Sequence, residues 1–198
     1  MERKFILTDK FVINSFGIKL FQIKCTKSFK YAQKGDFGGY VEKEGNLDQE
    51  NDAWVFGNAR VFGNARVSGD AWVSGDAWVS GDAWVSGDAR VFGNAWVSGN
   101  AWVSGDAWVS GNAWVSGNAD IENDNEHCGF DGFGSCNRHT HAYMTKEKKV
   151  EIICGCFRGS IEEFEKKVEE THSGTVYEKQ YKSIINVIKI KFGLTDFT

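Results

Sequence analysis

Gly69-Asp-Ala-Trp-Val-Ser-Gly-Asp-Ala-Trp-Val-Ser-Gly-Asp-Ala-Trp-Val-Ser-Gly87 repeats one six-residue unit three times without change. The period runs on in both directions: Val or Ile stands at every sixth position from Val55 to Ile121, with Ala two positions before each. Residues two apart lie on the same side of an extended chain, so Ala and Val point one way and the residue between them points the other. Gly followed by Asp or Asn supplies the bend, because glycine accepts a positive φ and the short polar side chain can bond its own turn. Each unit is therefore one short strand and one corner, and the twelve units from 51 to 124 predict a β-solenoid.

The pattern of Gly57–Phe62 and Gly69–Ser74 resembles the hexapeptide-repeat left-handed β-helix family, in which three units make one triangular coil. That resemblance implies the handedness and the three sides. At three units per coil the repeat makes four coils, and at the sheet spacing of about 4.8 Å these stack into a prism roughly 19 Å long. The expected fold class is thus an all-β solenoid with modules at both ends. Each unit buries little alone, so the stack holds only as a whole and needs protected ends.

The flanks supply those ends. Alternation around Phe11–Ser15 and Leu20–Lys24 predicts a β-hairpin, and Val41 and Leu47, already six apart, mark 36–50 as a lead-in coil. Residues 1–50 form this N-terminal unit, 51–124 the solenoid and 125–198 an α+β module. In the last unit, His139–Thr145 and Val150–Phe157 predict two strands joined by a turn at Lys146–Lys149. Two helices follow, because Ser160 with Glu163 and Thr175 with Glu178 have capping-box spacing and Tyr177, Tyr181, Ile184, Ile185 and Ile188 form an apolar face. The stretches Gly35–Val41 and Asn46–Val55 resemble the start of hexapeptide-repeat proteins carried by phages and prophages, and Cys154-Gly-Cys-Phe157 is similar to the tail of that group. The resemblance implies a phage accessory protein and transfers no active site.

Composition narrows the function classes. The 198 residues are 41% hydrophobic and 14% aromatic, as in folded chains. No stretch approaches the roughly 18 apolar residues of a membrane helix, and no leader pattern is present. Five cysteines, an odd number clustered toward the C-terminus, suggest reduced thiols and a cytoplasmic setting. The net charge of −4 originates in the repeat, where 51–124 carries 3 basic and 9 acidic groups. That sign disfavours nucleic acid and favours cations or basic partners.

Three sets of residues are candidates for function. Counting by three sorts the outward positions into columns: Trp54, Trp72, Arg90 and Trp108; Arg60, Trp78, Trp96 and Trp114; Arg66, Trp84, Trp102 and Asp120. Stacked rings with Arg over them can stabilise a ladder, and exposed aromatic columns mark interfaces, so a protein partner, a small ligand or a homo-oligomer (trimer or dimer) is expected there. One corner edge reads Asp52, Asp70, Asp88, Asp106 and Asp124, where the other two are mostly Asn, so the Asp edge either bonds backbone N–H groups or attracts a cation or basic partner. If the C-terminal hairpin turns between Glu147 and Lys148, His141 faces Cys154 and His139 faces Cys156, and two imidazoles with two thiolates on one face suit zinc.

The leading expectation is a non-enzymatic binding or scaffold protein that engages a host factor or its ligand and thereby counteracts host defence. The alternative is a hexapeptide-repeat acyltransferase, which would need a histidine base beside a thioester. The twelve units contain neither His nor Cys. DNA mimicry and ice binding fit less well, the acidic edge being too narrow for the first and the rows lacking Thr for the second.

Overall fold

In the computed structural model, which describes residues 3–194, every hexapeptide forms a two-residue strand followed by a corner. The strands stack in register every eighteen residues into three parallel sheets. One face holds β4 (Trp54–Val55), β7 (Trp72–Val73), β10 (Arg90–Val91) and β13 (Trp108–Val109). The second holds β5 (Arg60–Val61), β8 (Trp78–Val79), β11 (Trp96–Val97) and β14 (Trp114–Val115), and the third β6 (Arg66–Val67), β9 (Trp84–Val85), β12 (Trp102–Val103) and β15 (Asp120–Ile121). The expected columns are these three sheets. The Ala and Val positions line the interior with almost no exposure, so the core is a stack of small and β-branched side chains. Glycine at the corners answers a steric demand: at Gly81 φ is +68°, and a Cβ there would lie 2.9 Å from the Gly99 nitrogen one coil on.

The solenoid begins one coil earlier than the twelve perfect units. The strand β3 (Phe37–Val41) sets Val41 beside Val61, and a bridge sets Leu47 beside Val67, offsets of twenty residues rather than eighteen. The two extra residues lie between Leu47 and Val55, and they are used. There the Gln49 carboxamide accepts from the Lys4 and Phe5 N–H groups and donates to the Phe5 carbonyl. Lys4, buried beneath this loop, donates through Nζ to the Asn51 and Ala53 carbonyls, and burial lowers its pKa to about 8. The hairpin of β1 (Phe5–Ile13) and β2 (Lys19–Cys25) is thereby fastened over the first coil, with β2 paired to β3 and Phe5, Ile23 and Cys25 closing the core.

The far end is closed by a four-stranded antiparallel sheet, β16 (His127–Phe133), β17 (Arg138–Met144), β18 (Val150–Cys154) and β19 (Phe157–Ser160). One of its faces contributes Tyr143 and Ile153 to the solenoid core. On the other, Ala142, Ile152 and Cys154 pack against α1 (Ile161–His172) and α2 (Val176–Lys191). The two capping boxes have different outcomes. At α1 the Ser160 hydroxyl and Glu163 carboxylate satisfy each other's backbone N–H, whereas at α2 Thr175 accepts from Glu178 N but the Glu178 carboxylate takes the Gly174 N–H.

The last coil would otherwise leave its backbone groups open, and the cap meets several of them. Trp108 N–H donates to Asp124 Oδ1, His141 Nδ1 donates to the Trp114 carbonyl, and Lys146 N–H donates to the Asn118 carbonyl. The β17–β18 turn differs from the expected one by one residue. Thr145 N–H donates to the Lys149 carbonyl around a three-residue loop whose last member, Lys148, has φ +55°. Thr140 therefore pairs with Cys154 and His141 with Ile153. The strands β16 and β19 were not among the expected elements; Gly129, Gly132 and the short run at Phe157 obscure their alternation.

Candidate binding surface

The tryptophans share one sequence position but do not share one environment. Trp54 points outward from its coil yet is fully buried, enclosed edge-on by Phe5 and Phe29. Trp72 stacks on Phe56 at 3.9 Å between ring centroids and meets the Tyr31 ring at 5.1 Å. Trp78 lies among Phe16, Phe62 and Trp96, and Phe16 comes from the tip of the β1–β2 hairpin. The expectation of eight exposed indoles is thus corrected: aromatics of the N-terminal segment, with Phe56 and Phe62 of the repeat, pack around Trp54, Trp72 and Trp78. What stays open is Trp84, Trp102, Trp108 and Trp114, each 38–47% exposed on strands held by parallel pairing.

Ladder packing accounts for part of this surface. Trp96 and Trp114 are parallel at 5.3 Å, whereas Trp84 and Trp102 meet edge to face at 5.6 Å. Basic groups lie over three rings: Arg60 over Trp78 at 5.2 Å, Arg90 over Trp108 at 4.9 Å and Lys146, from the cap turn, over Trp102 at 4.2 Å. The third face is concave at both ends. Trp84, Ser86, Trp102, Ser104, Asp120 and Lys146 line one depression of about 360 Å³, and Trp84 with Asp48, Glu50 and Arg66 lines another of about 540 Å³.

The corner edges follow their composition. Asn64 donates to Asp82, and Asn94 donates to Asn112, along the Asn-rich edges. On the Asp edge, Lys30 reaches Asp70 at 3.5 Å. Asp52, Asp88 and Asp106 keep the expected corner positions, but Asp124 leaves the row to cap the Trp108 N–H.

The proposed zinc ligands separate. Because the hairpin register is shifted by one, His139 and His141 face the solenoid end while Cys154 lies on the helix side, bonded by the Thr140 hydroxyl and beside Tyr181, and Cys156 is exposed at the turn. His139, His141, Cys154 and Cys156 therefore do not form one ligand set, and among the described residues no three or more His, Cys, Asp or Glu side chains are arranged so that they could hold a metal ion. In their place the structure brings together His127, His139 and His141. His141 donates from Nδ1 to the Trp114 carbonyl, so its Nε2 accepts from His127 Nδ1 at 3.1 Å. His139 Nδ1 donates to Asp131 Oδ1 at 2.8 Å. Burial pushes the His127 pKa down and that of His141 down to about 3. His127 was visible in the sequence as a neighbour of Cys128; only the pairing of β16 with β17 places it against His141.

Five stretches of the chain, residues 53–69, 59–75, 65–81, 83–99 and 95–111, match the model of the YdcK beta solenoid repeat. All five lie in the coils described above. Comparison with curated proteins found no match. No helix of the described residues is long and apolar enough to cross a membrane.

Proposed function

We propose that this repeat β-solenoid protein is a non-enzymatic binding or scaffold protein whose working surface is the uncovered part of its tryptophan ladder, centred on Trp84, Trp102 and Trp108. The observation that carries this reading is selective coverage. The chain packs its own aromatic side chains around Trp54, Trp72 and Trp78 and leaves Trp84, Trp102, Trp108 and Trp114 exposed on strands held by parallel pairing. Exposed aromatics held in place lose little entropy on contact, and Trp is the residue most enriched among energetically dominant contacts. In the phage accessory setting the partner would be a host factor or its ligand, and withdrawing it would blunt a host defence. Acyl transfer is less well supported, because the twelve repeat units hold neither His nor Cys, and of the three clustered imidazoles His141 is buried with both ring nitrogens engaged and His139 is held by Asp131.

Native mass spectrometry of the protein isolated from its natural host tests the reading. A bound species of defined mass is expected, and the Trp102→Ala/Trp108→Ala double variant should lose it with a dissociation constant raised at least about tenfold, on the order of 1.4 kcal/mol. Retention of the same species by the double variant would move the binding surface elsewhere.

A second reading, self-association, is favoured by the N-terminal hairpin. β1 is the free edge of a seven-stranded sheet, and along it Phe11 and Ile13 are 45% and 65% exposed. A long edge with apolar side chains invites a second strand. Sedimentation velocity of the purified chain should then show a dimer that Ile13→Lys converts to monomer; a monomer at every concentration would remove this reading.

A further inference from the structure

The geometry points to the depression beside Trp84 as a receptor for the basic side chain, lysine or arginine, of a partner segment. This rests on the binding reading above and names the chemistry of one contact within it. The molecule itself shows what its exposed indoles accept, since Arg60, Arg90 and Lys146 each place a cation over a tryptophan ring. Two of these pairs follow one rule: an Arg in one coil lies over the Trp of the next coil in the same column. Arg66 precedes Trp84 in the same way, yet among the described residues neither it nor any other cation lies over the Trp84 ring. The Trp84 indole is held by its Nε1–H, which donates to the Ser68 hydroxyl at 2.8 Å, and by the edge-to-face contact with Trp102.

The ring is left beside an open depression of about 540 Å³ whose other walls come from the lead-in coil. Three carboxylates line it, those of Glu44, Asp48 and Glu50, against one cation, Arg66. Arg3 neutralises Glu44 at 2.6 Å, and Asp48 accepts from the Asn51 side chain and from the Glu50 and Asn51 N–H groups, with the Lys4 ammonium near enough to attract it. A cation entering here meets an indole and the Glu50 carboxylate, which no cation or donor engages among the described residues, and desolvates little because the depression is open. A carboxylate or phosphate would meet Glu50 as repulsion and gain nothing from the face of the indole. The two-residue insertion that builds this wall breaks the eighteen-residue period at this coil alone, so the repeat by itself does not generate the site.

The test uses a pentalysine peptide as probe and the eight indole N–H resonances of ¹⁵N-labelled full-length protein as readout. The Trp84 resonance, identified by its loss in Trp84→Phe, should shift most on titration. Trp84→Ala should weaken pentalysine binding about tenfold, Glu50→Gln should weaken it severalfold, and pentaglutamate should leave the spectrum unchanged. Equal shifts of all exposed indoles, or unchanged affinity in Trp84→Ala, would overturn the proposal in favour of diffuse attraction to an acidic prism. If pentalysine ignores Trp84 while Trp102→Ala/Trp108→Ala still sheds the bound species, this inference fails and the binding surface stands. If the double variant retains it, the broader reading fails as well.

Discussion

Val85→Asp is expected to lower the midpoint of thermal unfolding by about 6–20 °C, or to prevent folding at growth temperature. Val85 is fully buried in the third face, stacked between Val67 and Val103, and every neighbouring interior position is Ala or Val. A carboxylate there finds neither cation nor donor, and such an unpaired buried charge costs about 3–5 kcal/mol. For a chain of this size each kcal/mol is worth roughly 2–4 °C. The loss also spreads, because each coil is stabilised mainly by its neighbours, so weakening the central coil weakens two interfaces. Asn58→Asp, which places the same charge at an exposed corner, should stay within about 0.5 kcal/mol of the parent. Far-UV circular dichroism melts of the three proteins decide it; a Val85→Asp protein that melts with the parent would mean that this side chain does not face a dry interior.

Acid should loosen the C-terminal cap, and His141 should account for a defined part of the loss. Its imidazole is 1% exposed, and burial lowers its pKa to about 3 from an ordinary 6.5. Below pH 6.5 the unfolded chain takes up this proton while the folded one does not. Stability is therefore fully present above pH 6.5 and falls as pH drops toward 3, by up to about 1.4 kcal/mol per pH unit. The charged and titratable groups around the ring are His127 and Asp131 on β16, Arg138, His139 and Tyr143 on β17, Asp124 and Glu126 on the preceding turn and Lys191 on α2. Of these, the lowered pKa of His127 adds a loss of the same sign. His141→Gln can keep both hydrogen bonds, its amide donating to the Trp114 carbonyl and accepting from His127, without titrating. Unfolding free energies from urea titrations at pH 7, 6, 5 and 4 should fall more steeply for the parent than for His141→Gln. Parallel slopes would show that the ring does not carry the effect.

Val85 and His141 differ in how far their surroundings are written in the local sequence. The inward direction of Val85 could be read directly from a β-branched residue every sixth position with Ala two before it, and the observed pairing of Val85 with Val67 and Val103 follows once the resemblance to three-sided β-helices sets three units per coil. His141 could not. Its neighbours depend on the β17–β18 turn, where Lys148 adopts a left-handed conformation that no Gly or Asn announces, and a shift of one residue moves every side chain to the other face. The expected pairing of imidazoles with Cys154 and Cys156 failed on that single turn.

The tryptophan surface divides in the same way. Local chemistry determined the repeat strands, the corners and the helix starts at Ser160 and Thr175, because each depends on residues within a few positions, while the sorting into three columns came from the resemblance to three-sided β-helices. Only the tertiary structure decided which indoles remain in contact with solvent. Phe5, Phe16, Phe29 and Tyr31 reach Trp54, Trp72 and Trp78 from tens of residues away, and the extra residues after Leu47 both anchor Lys4 and wall the depression beside Trp84. Such contacts leave no period in the sequence, since they are set by how far a hairpin overhangs a prism and which face it leans on.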